Sequence, residues 1–141
     1  MVGVGRRGRL ALEFTREAKS AARAVGSAVA GVRAAVPDAV LIEASPDLVG
    51  LTDVASLLGV TRQNVRKLIV SCDAPEPLPV HAGKPTIWRL AGVLRWLARE
   101  KRYPVSPELL EVAEATLQLN LAVEARDADP HAQAELAALL A

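Results

Sequence analysis

Cysteine, histidine and aromatic residues are scarce in this chain of 141 residues. It has one cysteine and two histidines, and aromatic side chains make up 3% of the composition. A single cysteine excludes an internal disulfide, and one cysteine with two histidines is too few for a convincing structural zinc site. Because aromatics are rare, the core must be built mainly from Leu, Val and Ala, which dominate a hydrophobic content of 51%.

Long apolar runs are also absent. No run approaches the roughly 18 residues of a membrane span. Arg6, Arg7 and Arg9 are not followed by a long apolar stretch, so a secretory signal peptide is not expected. The only thiol, Cys72, has no histidine nearby, and no Gly-rich phosphate loop joins a strand to a helix. The sequence therefore predicts a cytoplasmic protein with no membrane association, no metal, no cofactor and no enzyme activity.

The charges are unevenly distributed although the net charge is only +1. Residues 1–45 carry seven basic and four acidic side chains, and residues 104–141 carry one basic and seven acidic ones. Between them, residues 61–103 hold nine basic and only three acidic residues. Such a local basic excess is typical of a surface that meets a phosphate backbone.

Residues 51–70 have the pattern of two short helices joined by a turn, LTDVASLLGVTRQNVRKLIV. Thr52 and Thr61 are the expected N-caps, and Gly59 stands where a positive φ is favourable only for glycine. The inward face of the second helix is predicted from apolar residues at helical spacing: Val65, Leu68 and Ile69.

The outward positions of the second helix carry cations and amides and no acid: Arg62, Gln63, Asn64, Arg66 and Lys67. Arginine can pair bidentately with guanine, and glutamine or asparagine with adenine, in the major groove. The sequence therefore predicts a helix-turn-helix regulator of transcription that binds double-stranded DNA, with a recognition helix over residues 61–70 in the major groove.

A short hairpin is predicted after this motif. Residues 78–80 and 86–88 flank a turn that contains Lys84, and two prolines keep the ladder short. A hairpin in this place is the wing of a winged helix-turn-helix, so Lys84, with His81 as a second candidate, is expected to contact phosphate.

The rest of the chain is predicted to be mixed helix and strand. Strands over residues 9–14 and 39–44, with a helix over 15–35 that Thr15 caps, predict a β-α-β unit after a start at residues 1–8 that is disordered or only partly ordered. Helices are predicted over residues 90–101, 106–126 and, weakly, 129–141. The fold class is therefore α+β, a β-α-β segment (1–46), a winged helix-turn-helix (47–103) and a long C-terminal helix with a tail (104–141).

Residues 51–97 resemble the winged helix-turn-helix of the MerR and phage-excisionase (AlpA-like) superfamily. The motifs that carry the resemblance are residues 51–68 and, after Pro79, the stretches Gly83-Lys84 and Ile87-Trp88-Arg89. The resemblance implies that residues 61–67 enter the major groove. It also implies that Lys84 and Arg89 contact the DNA backbone from the wing.

The whole chain also resembles small bacterial DNA-binding proteins with a ferredoxin-like segment ahead of this module. That segment usually has a further strand and helix before the position of Arg9, where this chain has eight residues. Either the start is truncated or the unit completes its sheet by forming a homodimer. The long C-terminal helix is apolar nearly all round, which fits a dimer seam or packing on the N-terminal unit.

A second interpretation is a protein-interaction module, an adaptor or antitoxin-like protein with an unidentified protein partner. The incomplete sheet and the apolar C-terminal helix favour it, because both would be covered by a partner. DNA binding would then be secondary. The DNA-binding interpretation predicts a homodimer, because one such module contacts only a few base pairs and paired half-sites give useful specificity.

Overall fold

The structure, a computed structural model, describes residues 2–4, 8–15, 17–71 and 73–141. The chain divides into two compact units, Met1–Val40 and Leu41–Ala141. Helices and short strands occur together, so the α+β class is confirmed at that level. Cys72 lies outside the described residues, as do Arg6 and Arg7.

The first unit contains an antiparallel pair of strands. Strand β1 (Val2–Val4) pairs with β2 (Leu10–Leu12), with Val2 opposite Leu12. The start predicted to be disordered or only partly ordered therefore includes an ordered strand at residues 2–4, which pairs with β2; what the prediction says of residues 1 and 5–7 lies outside the described residues. The strand predicted over residues 9–14 is present but shorter.

Helix α1 (Ala21–Ala35) begins later than predicted, because Ser20 rather than Thr15 is its N-cap. The Ser20 Oγ accepts a hydrogen bond from the Arg23 backbone N–H at 3.3 Å. Such a bond satisfies one of the donors that a helix start leaves unpaired. None of the fifteen described residues of α1 is buried.

The predicted β-α-β arrangement is wrong. Residues 39–44, all of which the structure describes, form no strand. Their backbone is bound by side chains of a later helix: Asn120 Oδ1 and Nδ2 bond the N–H and C=O of Ala44, each at 2.8 Å, and Arg126 Nη2 bonds the C=O of Leu41 at 2.7 Å. At Leu41 and Ala44, therefore, side chains supply the backbone hydrogen bonds that a neighbouring strand would otherwise provide. The first unit is β-β-α.

The second unit is mainly helical and contains one small sheet. Strand β3 (Leu48–Val49) pairs antiparallel with β4 (Trp88–Arg89), and Val49 lies opposite Trp88. Two short helices, α2 (Leu51–Leu58) and α3 (Arg62–Val70), lie between these strands in the chain. They are followed by α4 (Leu90–Glu100), α5 (Pro107–Ala125) and α6 (Pro130–Leu140).

One hydrophobic core joins α2, α3, α4 and α5 to the small sheet. Its centre is α4, and its most fully buried large apolar side chains are Val54, Val65, Leu90, Val93, Leu94 and Leu97. Both tryptophans are predicted to pack in the core. Trp88 is 5% exposed, and Trp96 is partly buried against the core. The apolar face of α4 therefore holds the α2–α3 pair in place.

Helix α5 begins at the predicted cap, and its Ser106 Oγ accepts from the Leu109 backbone N–H at 3.3 Å. Its buried residues are Ala113, Thr116, Leu117 and Asn120, and it packs against α4. The sequence indicated two explanations for the apolar surface of α5, a dimer seam and packing on the N-terminal unit. Neither included the packing against α4. The predicted tail helix is present as α6 and has no buried residue among those described.

Candidate nucleic-acid interface

Helices α2 and α3 meet at a tight turn centred on Gly59. Its φ of 69° and ψ of 30° are left-handed, as the sequence predicts. The next residue, Val60, donates its backbone N–H to the C=O of Ala55 at 3.0 Å and packs its side chain against the core. A residue with a Cβ loses about 1–2 kcal/mol in this conformation. Glycine therefore allows α3 to leave α2 without strain.

The first helix starts two residues earlier than expected. Gly50, not Thr52, is the N-cap of α2, and Asp53 Oδ2 accepts from the Gly50 backbone N–H at 2.9 Å. Thr52 is therefore a helical residue. The reason is that Asp53 reaches back to the chain before the helix, so a capping side chain at Thr52 is unnecessary.

Helix α3 starts at the predicted cap. The Thr61 Oγ1 accepts from the Asn64 backbone N–H at 3.2 Å. Val65 and Ile69 are buried, and Leu68 is partly buried against the same core. The inward stripe predicted from the sequence is thus confirmed, and it orients the remainder of the helix towards solvent.

The exposed surface of α3 carries three cations and two amides. The structure brings these together with the cap residue on one short helix, and all six are exposed: Thr61, Arg62, Gln63, Asn64, Arg66 and Lys67. No acid lies within α3. A surface of this kind can donate hydrogen bonds to phosphate oxygens and to the acceptors on base edges.

A narrow hairpin precedes β4. His81 and Ile87 form an antiparallel bridge, with N···O distances of 3.1 and 2.9 Å between their backbones. Lys84 is exposed in the turn between them. Gly83 lies directly under the His81 ring, where a Cβ would overlap the imidazole. The hairpin is short, as the prolines on both arms predict, and its tip carries one cation.

Arg89 is predicted as a wing contact, but the structure gives it internal partners. Its guanidinium binds the carboxylates of Asp47 and, at 2.9 Å, Glu124, and its side chain is only 17% exposed. Partial burial disfavours the charge, but hydrogen bonds and attraction from Glu124 and Asp47 outweigh that effect and raise the pKa of Arg89 above its usual value. Since both terminal nitrogens of its guanidinium are bound to carboxylates, Arg89 is placed as an internal ion-pair partner rather than as an exposed cation of the hairpin.

A buried polar cluster ties α5 to the chain before β3, and sequence reasoning missed it. Asp47 is 1% exposed, and its Oδ2 accepts from Asn120 Nδ2 at 2.7 Å as well as from Arg89. The Thr116 hydroxyl donates to the C=O of Pro46. The signal in the sequence was two uncharged polar residues, Thr116 and Asn120, spaced four apart on the same face of the helix as the apolar Ala113 and Leu117.

A second cluster, also missed, joins the end of α4 to the loop after α3. The Lys101 ammonium binds Asp73 Oδ1 and Ser71 Oγ, and lies 5.5 Å from the centroid of the Trp96 ring. The Lys101 hydrogen bond, with a second bond from the Ser71 hydroxyl at 2.6 Å, lowers the pKa of Asp73 from 3.8 to about 2. Asp73 is therefore an anion at any physiological pH.

Two further observations concern metal binding and membrane spanning in the described residues. Within the described ranges, no three His, Cys, Asp or Glu side chains converge in a way that could hold a metal ion. None of the helices in the part of the chain that the structure describes combines the length and the hydropathy needed to cross a bilayer.

No protein-family model, curated protein or solved structure matches this chain.

Proposed function

We propose that this protein binds double-stranded DNA and regulates transcription, with α2, the Gly59 turn, α3 and the hairpin acting as a winged helix-turn-helix. The observation that carries the proposal is α3 itself. Its apolar face is buried, its start is capped by Thr61, and its exposed face holds cations and amides without an acid. A cytoplasmic location belongs to the same proposal.

In the proposed complex, electrostatic docking comes first. Lys84 on the hairpin tip contacts a phosphate and sets the register, while cations of α3 are attracted to the groove. Arg62, Gln63 and Arg66 then bond to base edges, and each good bidentate pair contributes about 1–3 kcal/mol of discrimination. A single α3 spans only a few base pairs, so we propose a homodimer on paired half-sites.

The test is a salt series of binding to random duplex DNA. We expect the affinity of the wild type to fall linearly with the logarithm of salt, and the R62A/R66A/K67A variant to lose most of it. The matched control is K19A/R23A/R33A, which removes three exposed cations from around α1 instead. Binding that is absent at low salt, or equal loss in both variants, would contradict the proposal.

A second candidate function, the adaptor or antitoxin-like protein, is favoured by a different observation. Helices α1 and α6 have no buried residue, and Leu136, Leu139 and Leu140 on α6 are exposed by 54%, 79% and 88%. A protein partner could cover them. If the purified protein alone is aggregated or partly unfolded and binds no DNA, this candidate replaces the first; a monodisperse, folded and DNA-binding protein excludes it as the main function.

A further inference from the structure

A cleft of about 450 Å³ lies along one flank of α3. Its polar lining consists of Asn64, Lys67, Ser71, Asp73, Lys101 and Tyr103. Two of these residues belong to the exposed face of α3, and Lys101 comes from the end of α4. The cleft therefore brings a second lysine next to the surface that we propose enters the major groove.

Lys101 is covered in the cleft by an acid that is itself at the surface. The Lys101 side chain is 5% exposed, whereas Asp73 is 69% exposed. The ammonium is contacted by the Asp73 carboxylate, by the Ser71 Oγ and by the Trp96 ring, whose centroid lies 5.5 Å away. Displacing the carboxylate would thus leave a cation that is open to solvent and still held in place by the ring.

We propose that this cleft is a site for one phosphate of the DNA backbone, and that Asp73 occupies the place of that phosphate in the free protein. The inference rests on the proposed function, since it assumes that α3 lies in the groove. A strand that borders the major groove then runs along the flank of α3, where Asn64 and Lys67 meet Lys101. The phosphate replaces the carboxylate on the Lys101 ammonium.

The exchange is chemically balanced, because both groups are oxygen anions of like charge. Asp73 is 69% exposed and already largely hydrated, and the phosphate takes its place, so the poorly exposed Lys101 ammonium keeps an anionic partner throughout. Asp73 remains ionised throughout the physiological range, so competition by phosphate rather than protonation must release Lys101. The free protein consequently presents one cation fewer to DNA than its lysines suggest, which restrains binding to DNA at large.

The exchange predicts an unusual salt dependence. In the wild type, Lys101 exchanges one anion for another, and no net counterion is released at this site. In D73N the ammonium is free, so the phosphate contact releases about 0.9 of a condensed counterion. We expect D73N to steepen the slope of log affinity against log salt by about 0.9 and to raise the affinity for random duplex about eightfold at about 0.1 M salt.

The matched control is E76Q, which removes one exposed acid from the same loop. It should change the slope and the affinity much less than D73N. Adding K101M to D73N should cancel the gain, since no ammonium remains to meet the phosphate. S71A, which removes one hydrogen bond from the Asp73 carboxylate and one from the Lys101 ammonium and leaves every charge in place, should give a smaller gain than D73N.

The readouts are the slope and the affinity for random duplex, with thermal unfolding followed by circular dichroism for each variant. Equal slopes for D73N and E76Q, with the wild type still binding, would overturn this inference and leave the proposed function in place. The same holds if K101M fails to cancel the gain. Failure of the wild type to bind DNA at any salt would overturn both. If D73N does not fold, S71A is compared with the wild type, and an unchanged affinity for random duplex overturns the inference.

Discussion

At the scale of single residues, the geometry of the α2–α3 pair depends on Gly59 and on Thr61. Gly59 has a positive φ of 69°, and the Thr61 hydroxyl accepts from the backbone N–H of Asn64, the third residue of α3. These two positions decide where α2 stops and where α3 starts. The direction in which Arg62 and Arg66 point from the helix follows from that start.

The left-handed backbone at Gly59 leads to a prediction on stability. We expect Gly59→Ala to lower the free energy of unfolding by about 1–2 kcal/mol, because alanine must adopt a left-handed backbone. The measurement is chemical denaturation followed by circular dichroism. Gly92→Ala is the control: Gly92 lies inside α4, and a Cβ there would meet nothing within 4 Å. It should stabilise the protein by about 0.5–1 kcal/mol. Two changes of the same sign would contradict the role given to the turn.

At the scale of elements, α3 and the hairpin carry different parts of the proposed interaction. Helix α3 presents several hydrogen-bonding side chains on a rigid, capped frame, whereas the hairpin is closed by a single bridge between His81 and Ile87. We therefore expect α3 to determine sequence preference and the hairpin to contribute mainly an electrostatic contact through Lys84.

This division of roles is tested by comparing Arg66→Ala with Lys84→Ala. Lys84→Ala should weaken binding to all duplexes about equally and reduce the salt slope by about 1, since one phosphate contact is lost. Arg66→Ala should cost about 1–3 kcal/mol at the preferred site, once that site has been selected from a random pool, and should relax the preference. If Lys84→Ala leaves binding unchanged at every salt concentration, the hairpin is not a DNA contact.

At the scale of the whole second unit, α5 holds the chain before β3 through buried polar groups. Asn120 bonds the N–H and the C=O of Ala44 and the carboxylate of Asp47. Asp47 Oδ1 has no hydrogen-bond partner among the described residues, so the bonds at Oδ2 are the ones that stabilise this buried carboxylate. Since Asp47 also binds Arg89 in β4, α5 supports the strand that ends the hairpin.

We expect Asn120→Leu to destabilise the protein by about 2–3 kcal/mol. The substitution leaves the Ala44 backbone groups without their partner and removes one donor from buried Asp47, and unpaired buried polar groups are costly. Urea denaturation is the measurement. Gln118→Leu, an amide replaced by leucine at an exposed position of the same helix, is the control and should change stability by less than about 0.5 kcal/mol. Similar losses in both variants would mean that α5 does not act through this cluster.

Much of α2, α3, α4 and α5 was predictable because local chemistry specifies it. Gly59, Thr61 and Ser106 lie at helix ends whose signals act over three or four residues, and all three were placed correctly. Thr52 and Thr15 were wrong because the helices begin elsewhere: Gly50 is the N-cap of α2 and donates to Asp53, and Ser20 is the N-cap of α1 and accepts from Arg23. Where two capping residues stand close together, short-range rules do not choose between them.

Contacts between distant residues decided the rest. The apolar run at residues 39–44 has the composition of a strand, yet side chains from α5, about 80 positions away, bind its backbone. Arg89 has the composition of a phosphate contact, yet Asp47 and Glu124 occupy its guanidinium. In the sequence Lys101 is one of several cations in a basic segment, whereas in the structure its ammonium is paired with Asp73.

The sequence by itself determined the helices, the Gly59 turn and the face of α3 that holds cations and amides, because propensity, capping and periodicity act within one or two turns of chain. The tertiary structure alone decided which cations of this region are exposed and which are paired with an acid. Burial and ion pairing depend on groups that are remote in sequence. They pair Arg89 with Asp47 and Lys101 with Asp73. The cations left exposed are Arg62, Arg66, Lys67 and Lys84.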